Sequence, residues 1–139
     1  MPFKLVISEQ ALAWKLELES ETLLGKQVGD TIDGAEIKPE LAGYQLQIMG
    51  GSDHAGFPLS KDVEGIGLKR LLLTKGWGMR DTHQGIRRRM TVRGKQIAPT
   101  TTQLNMKVVK AGSTKLAAIF PDQNKPKEAT PAVAPTPAA

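Results

Sequence analysis

The chain contains no cysteine. This excludes a disulfide framework, a thiolate metal site and a cysteine nucleophile, and it favours a reducing compartment. Aromatic residues make up only 4% of the sequence, so a core has to be built mainly from leucine, isoleucine and valine. No stretch approaches the roughly 18 apolar residues that a bilayer-spanning helix needs. No long apolar run follows Met1-Pro2-Phe3-Lys4, so the start does not read as a signal peptide. The two histidines, His54 and His83, are far apart and outside zinc-motif spacing. Gly65-Ile66-Gly67 lacks the third glycine and the following helix of a dinucleotide loop. Asp62 and Glu64 form an ordinary surface acid pair. No metal site and no cofactor are expected. A long 3.6-residue apolar period is also missing, so helices should be few and short.

What is present is alternation. Phe3, Leu5 and Ile7 alternate with Lys4, Val6 and Ser8, and Trp14, Leu16 and Leu18 alternate with Lys15, Glu17 and Glu19. Two half-buried strands joined by a short link predict an antiparallel hairpin. Ser20 can cap a short helix from Glu21 to Leu24, stopped by Gly25. Asp33-Gly34 signals a turn, with a weak strand expected over Ala35–Ile37. Tyr44, Leu46 and Ile48 mark another strand; Leu68–Thr74 is expected next, with Leu71, Leu72 and Leu73 as a buried run. Thr91–Ile97 and Leu104–Lys110 complete the set. The predicted fold is mostly β: a small antiparallel β-barrel-like domain with one or two short helices and long Gly-rich loops.

Length supports one domain with an appendage. We expect a β-rich domain over 1–112 and a connecting segment over 113–120. From Pro121 a Pro/Ala-rich tail follows, which should be mobile because it cannot bury enough apolar surface to offset its ordering entropy. Two links are unusually long: Gly50–Gly67 and Gly76–Met90. Long loops in a compact domain commonly carry function.

Charge is distributed unevenly. Residues 1–60 hold 4 Lys+Arg against 9 Asp+Glu, residues 61–95 hold 10 against 3, and residues 96–139 hold 5 against 2. A concentrated basic segment after an acidic half points to an anionic partner. The candidate contacts are Lys69, Arg70, Lys75, Trp77, Arg80, Arg87, Arg88, Arg89, Arg93 and Lys95. Arginine matches phosphate oxygens in pairs and stacks on bases, and Trp77 offers a stacking face or a loop anchor. Consecutive arginines on a strand would point to opposite faces, so Arg87–Arg89 are expected in a loop or turn. A small anionic ligand needs roughly two to four cationic or amide contacts, fewer than this cluster provides. If about six of these cations meet phosphates, log affinity should fall with log salt at a slope near −4 to −5, a polynucleotide scale. RNA is preferred over DNA because no helix carries these charges into a major groove.

Ser52-Asp53-His54 brings three catalytic residue types together, but a triad is assembled in space from separate elements. Gly50-Gly51-Ser52-Asp53-His54-Ala55-Gly56-Phe57-Pro58 reads instead as a folded loop, with Asp53 or Ser52 bonding backbone amides.

Four segments occur in order: GYQLQIMGGSDHAGFP at Gly43–Pro58, LKRLLLTKG at Leu68–Gly76, RRRMTVRG at Arg87–Gly94 and LNMKVVKAG at Leu104–Gly112. With these, residues 3–112 resemble the archaeal and eukaryotic small-subunit ribosomal proteins of the S-six-e family, in its short archaeal form. The resemblance implies a β domain on the small ribosomal subunit, in the cytoplasm. It would contact ribosomal RNA and neighbouring ribosomal proteins, without catalytic activity, membrane or small-molecule substrate. It marks Gly50, Gly51, Asp53, Gly56, Phe57, Pro58, Gly76 and Gly94 as loop-structural residues, and matches Lys75, Arg87, Arg88, Arg89, Val92 and Arg93. Where this chain has His54 and Met90 the family often has lysine. Eukaryotic members carry a long basic helix with phosphorylated serines, where this chain has its Pro/Ala tail. Two other readings share parts of the pattern: a free RNA-binding assembly factor or chaperone, and a small enzyme using Asp53 and His54.

Overall fold

Alternation of apolar and polar side chains builds the centre of the molecule. The computed structural model describes residues 2–19 and 21–124. Strand β1 (Phe3–Glu9) turns back into β2 (Leu12–Leu18), with Ile7 opposite Trp14 and Phe3 opposite Leu18. This register puts Phe3, Leu5, Ile7, Trp14 and Leu18 on one buried face. Full burial of each such side chain contributes roughly 1.5–3 kcal/mol.

Further elements complete the sheet and its cover. Strand β3 (Thr31–Asp33) leads into α1 (Gly34–Ile37), and β4 (Gln45–Asp53) follows. Strand β7 (Thr101–Lys110) inserts between β1 and β4, giving a five-stranded sheet of order β2-β1-β7-β4-β3. Leu5 lies beside Leu104 and Ile7 beside Met106. Short 3-10 turns at Glu21–Leu23 and Pro39–Leu41, with α2 (Leu116–Ile119), bring Leu23, Leu41, Leu116 and Phe120 into the same core. Leu116 and Phe120 thereby extend the packed body beyond Gly112.

Strands β5 (Leu68–Thr74) and β6 (Arg87–Arg93) form a separate two-stranded antiparallel sheet. Residues 94–97 tie this hairpin to the body. Gly94 N–H donates to Gly67 O, Lys95 N–H to Val63 O and Ile97 N–H to Lys26 O. On the other side, Val28 N–H donates to Lys95 O.

Several expectations change. The mostly β body is present, but among the described residues the sheet does not close into a barrel. Its edge strand β3 has three residues, too few to bridge back to β2. Nor is the sheet wholly antiparallel, because β1 and β7 run parallel. Ala35–Ile37 forms a helical turn, not a strand; the strand precedes it at Thr31–Asp33. Ile37 is apolar for the core, and its lone alternation with polar neighbours mimics a strand. The expected helix at Glu21–Leu24 is a 3-10 turn, and its proposed cap Ser20 lies outside the described residues.

The Leu71–Leu73 run is not buried. Leu72 is 55% exposed, and Leu71 and Leu73 are half-buried, because no second layer covers both faces of a two-stranded hairpin. Strand β6 begins at the arginines and ends at Arg93, earlier than the expected Thr91–Ile97. Beyond Asn124 the expected tail lies outside the described residues, but its first part is engaged. The Gln123 side-chain amide accepts from Lys15 N–H at 2.6 Å and donates to Lys15 O at 2.7 Å. Asn124 donates to Ala13 O at 2.5 Å. These contacts lie on β2, the outer strand at one end of the sheet.

Candidate nucleic-acid interface

The hairpin's register decides where its cations point. Leu68 faces Arg93, Arg70 faces Thr91, Leu72 faces Arg89 and Thr74 faces Arg87 across the two strands. Side chains alternate along each strand. One face therefore carries Arg70, Arg87 and Arg89 with Leu68 and Leu72, and Arg93 stands at its root. The opposite face carries Lys69, Leu71, Leu73, Arg88, Met90 and Val92.

Arg87, Arg88 and Arg89 are thus on a strand and not in a loop. The sequence argument that strand residues point to opposite faces holds, and the outcome is a split: Arg87 and Arg89 project on one side, Arg88 on the other. Solvent reaches both sides, so consecutive arginines cost nothing there. Arg88 pairs with Asp81 at 2.7 Å, both groups well exposed. Such a pair contributes little to stability; it positions the side chain.

Lys69, Arg70, Lys75 and Arg80 are exposed, and none has an ion pair among the described residues. Trp77 lies in the β5–β6 loop and is 53% exposed. It is therefore not an anchor in the core, and its ring is open to a partner. Lys95 is half-buried with Nζ 3.7 Å from Glu64.

Arg93 sits differently. Its Nε donates to Asp53 Oδ2 at 2.7 Å, and its Nη1 donates to the Ile66 carbonyl at 2.9 Å. The Asp53 side chain is fully buried, and that of Arg93 is 12% exposed. Asp53 Oδ1 accepts from Ala55 N–H at 3.0 Å and Phe57 N–H at 2.8 Å. The chain also closes on itself there, with Asp53 N–H donating to Phe57 O. Burial pushes the Asp53 pKa up. The Arg93 hydrogen bond and charge and the two amide bonds outweigh burial and hold it below the ordinary aspartate value.

Asp53 is therefore a structural carboxylate held by Arg93 and two backbone amides, and not a base paired with exposed His54. The expected Gly50–Pro58 loop begins later than the sequence suggests: Gly50–Asp53 are the end of β4, paired with β7, and the turn that follows is held by this one side chain. Among the loop-structural glycines, close approach requires glycine at Gly94, where a Cβ would lie 2.0 Å from the Gly65 carbonyl oxygen, and at Gly51, where one would lie 2.2 Å from that of Gln103. Gly56 and Gly76 take positive φ. Gly50 has open space around it and follows a register shift in β4. Among the described residues no group of three or more His, Cys, Asp or Glu side chains converges on a metal-binding geometry. No helix among them is long and apolar enough to cross a membrane.

The sequence reading missed Asp81 and the Ile66 carbonyl. Both partners are fixed by the path of a loop, and neither stands at a local spacing from the arginine it holds.

A basic hairpin is thus clamped to an open sheet by a buried aspartate. The family model for ribosomal protein S6e matches residues 3–121. The chain belongs to the ribosomal protein S6e family. Its members are structural, non-enzymatic ribosomal proteins. The chain is similar to a protein of Methanosphaera stadtmanae named small ribosomal subunit protein eS6, with 39% identity over 131 residues, covering 92% of this chain and 99% of that protein. A Methanococcus maripaludis protein of the same name is 42% identical over 118 residues, covering 84% and 94%. One from Archaeoglobus fulgidus is 39% identical over 127 residues, covering 86% and 96%. The S6e match includes the loop, the hairpin and the core strands together, and reaches past Gly112 to the segment carrying Leu116 and Phe120.

Proposed function

We propose that this S6e chain is a structural constituent of the small ribosomal subunit, in the cytoplasm, that binds ribosomal RNA through the β5–β6 hairpin. Its neighbours would be that RNA and adjoining ribosomal proteins, and its role would lie in translation. The observation that carries this reading is the hairpin face with Arg70, Arg87 and Arg89, all exposed, on a projecting two-stranded element. Arg87 and Arg89 stand two residues apart on one face, about 6.7 Å by strand rise, a separation suited to neighbouring phosphates. Leu68 and Leu72 between them give apolar contact to sugars or bases. Trp77, at the hairpin end, supplies a stacking surface. Lys69, Lys75, Arg80 and Arg88 add charge from the other face and the loop. Arg93 is reassigned: its guanidinium braces Asp53 and Ile66 and leaves little for a phosphate.

Filter binding of the full chain to small-subunit ribosomal RNA over a salt series tests this. Each lost phosphate contact should flatten the log–log salt slope by roughly 0.7–0.9. The variant Arg70→Ala/Arg87→Ala/Arg89→Ala should therefore flatten it by about 2–3 and weaken binding at low salt. An unchanged slope removes this face from the interface.

A further inference from the structure

Among the described residues, strand β6 has a hydrogen-bonded strand on one side only, and its outer edge is used at a single residue. Arg93 N–H donates to Pro58 O, and Ser60 N–H donates to Arg93 O, each at 2.9 Å. Leu59 and Arg93 form an isolated parallel bridge. Backbone alternation then directs the N–H and C=O of Thr91 and Arg89 toward the same outer edge. Among the described residues, no backbone group meets them there. The 58–60 segment cannot continue along β6, because the chain reverses at Gly56, whose φ is +87°. A cavity of about 680 Å³ opens at this point. Phe57 and Pro58 line one part of it, Met79 and Arg80 another, and Met90 and Val92 contribute from β6 itself.

We propose that this groove accepts an extended segment of a neighbouring protein, added as a short strand to β6 at Arg89–Thr91, with an acidic side chain toward Arg80. The backbone edge offers donors and acceptors in alternation, and only another polypeptide strand complements both. A nucleic-acid backbone would satisfy the amides but would set phosphate oxygens against the carbonyls of Arg89 and Thr91. The walls are largely apolar, as pockets for alternate side chains of an added strand are. Arg80 stands at this groove and has no ion pair among the described residues. The site uses the backbone edge of the hairpin and not its Arg70, Arg87 and Arg89 face, shares the Arg80 side chain with the proposed RNA surface, and takes a different class of partner. Its failure and that of the RNA reading are therefore separate results.

The test is an NMR titration of the isotope-labelled full chain. The probe is the blocked peptide acetyl-Val-Glu-Val-Glu-Val-amide, with two twins N-methylated at alternate amides, one in each phase. Strand addition expects shifts confined to the amides of Phe57, Arg89 and Thr91, retained by one twin and weakened about tenfold in the other, whose methylated amides would face β6. The variant Thr91→Pro removes the outward N–H and leaves the β5 ladder in place, since proline is tolerated where the amide faces away from the neighbour. It should weaken the peptide roughly five- to tenfold, while the amide shifts of Arg88 and Val92 report an intact hairpin. Arg80→Glu should weaken it as well. Absence of shifts at millimolar peptide, equal binding by both twins, or displacement of the peptide from these amides by hexauridylate would overturn the proposal. In the last case the groove belongs to RNA.

Discussion

Arg93 reaches across 40 residues of sequence to place its Nε 2.7 Å from Asp53 Oδ2, in a pair whose acidic partner is fully buried. One side chain thereby joins the end of β4 and the turn after it, the Ile66 carbonyl and the end of β6. Removing a single partner from such a pair leaves an uncompensated buried charge. Arg93→Ala should therefore destabilise the chain by about 3–5 kcal/mol, measured as a fall in urea midpoint. Arg93→Lys should lose less, because an ammonium keeps the charge without the bond to Ile66.

The same pair gives a pH dependence of known sign. The Asp53 pKa is depressed in the folded protein. Its contribution is complete above the unfolded aspartate value of about 3.9, and is lost as pH falls through the lower native value. Urea midpoints should therefore drop steeply below about pH 4. In Asp53→Asn the drop should be shallower. Equal slopes in the two proteins would show that Asp53 is not tied to Arg93 in solution.

Gly94→Ala should be costly although alanine is small. A Cβ there would lie 2.0 Å from the Gly65 carbonyl oxygen and 2.5 Å from its carbon, so backbone has to move. Overpacking of this kind costs about 1–3 kcal/mol. Amide exchange at Gln96, whose N–H donates to Gly65 O, should accelerate in the variant. Gly50→Ala, with open space around it, serves as the control.

The two tryptophans separate cleanly by exposure, Trp14 being 3% exposed and Trp77 53%. Iodide should quench Trp77 emission and leave that of Trp14. Small-subunit ribosomal RNA should protect Trp77 from iodide if the loop lies in the interface. Trp77→Ala should remove the quenchable component without altering the thermal midpoint.

Much of this was readable in the chain. The strands that face the core on one side announced themselves through Phe3-Leu5-Ile7, Trp14-Leu18 and Leu46-Ile48, because half-burial imposes a period of two. Asp53 was readable as a loop-folding carboxylate from the glycines around it. The basic segment was legible as charge but not as geometry. Leu71–Leu73 looked like a core strand because apolar runs do not reveal whether a second layer exists to cover them. Arg87–Arg89 looked like a loop because strand faces are normally unequal, and this hairpin has solvent on both. Arg93 resembled its neighbours in the cluster; only the fold brings Asp53 to it. The parallel pairing of β1 with β7 was equally hidden, since strand order is set by long connections that leave no local pattern.

That pairing governs how the chain must come together. Ser8 Oγ donates to Met106 O across 98 residues, and β1 lies between β2 and β7. On a synthesising ribosome the β1–β2 hairpin emerges well before β7, the inner neighbour of β1. Until then Phe3, Leu5, Ile7 and Trp14 have no completed layer to pack into. Folding of this topology is slow relative to local helix or hairpin closure, and a chain halted before β7 exposes the surface from which aggregation starts. Assembly of the body is therefore timed by the arrival of Thr101–Lys110.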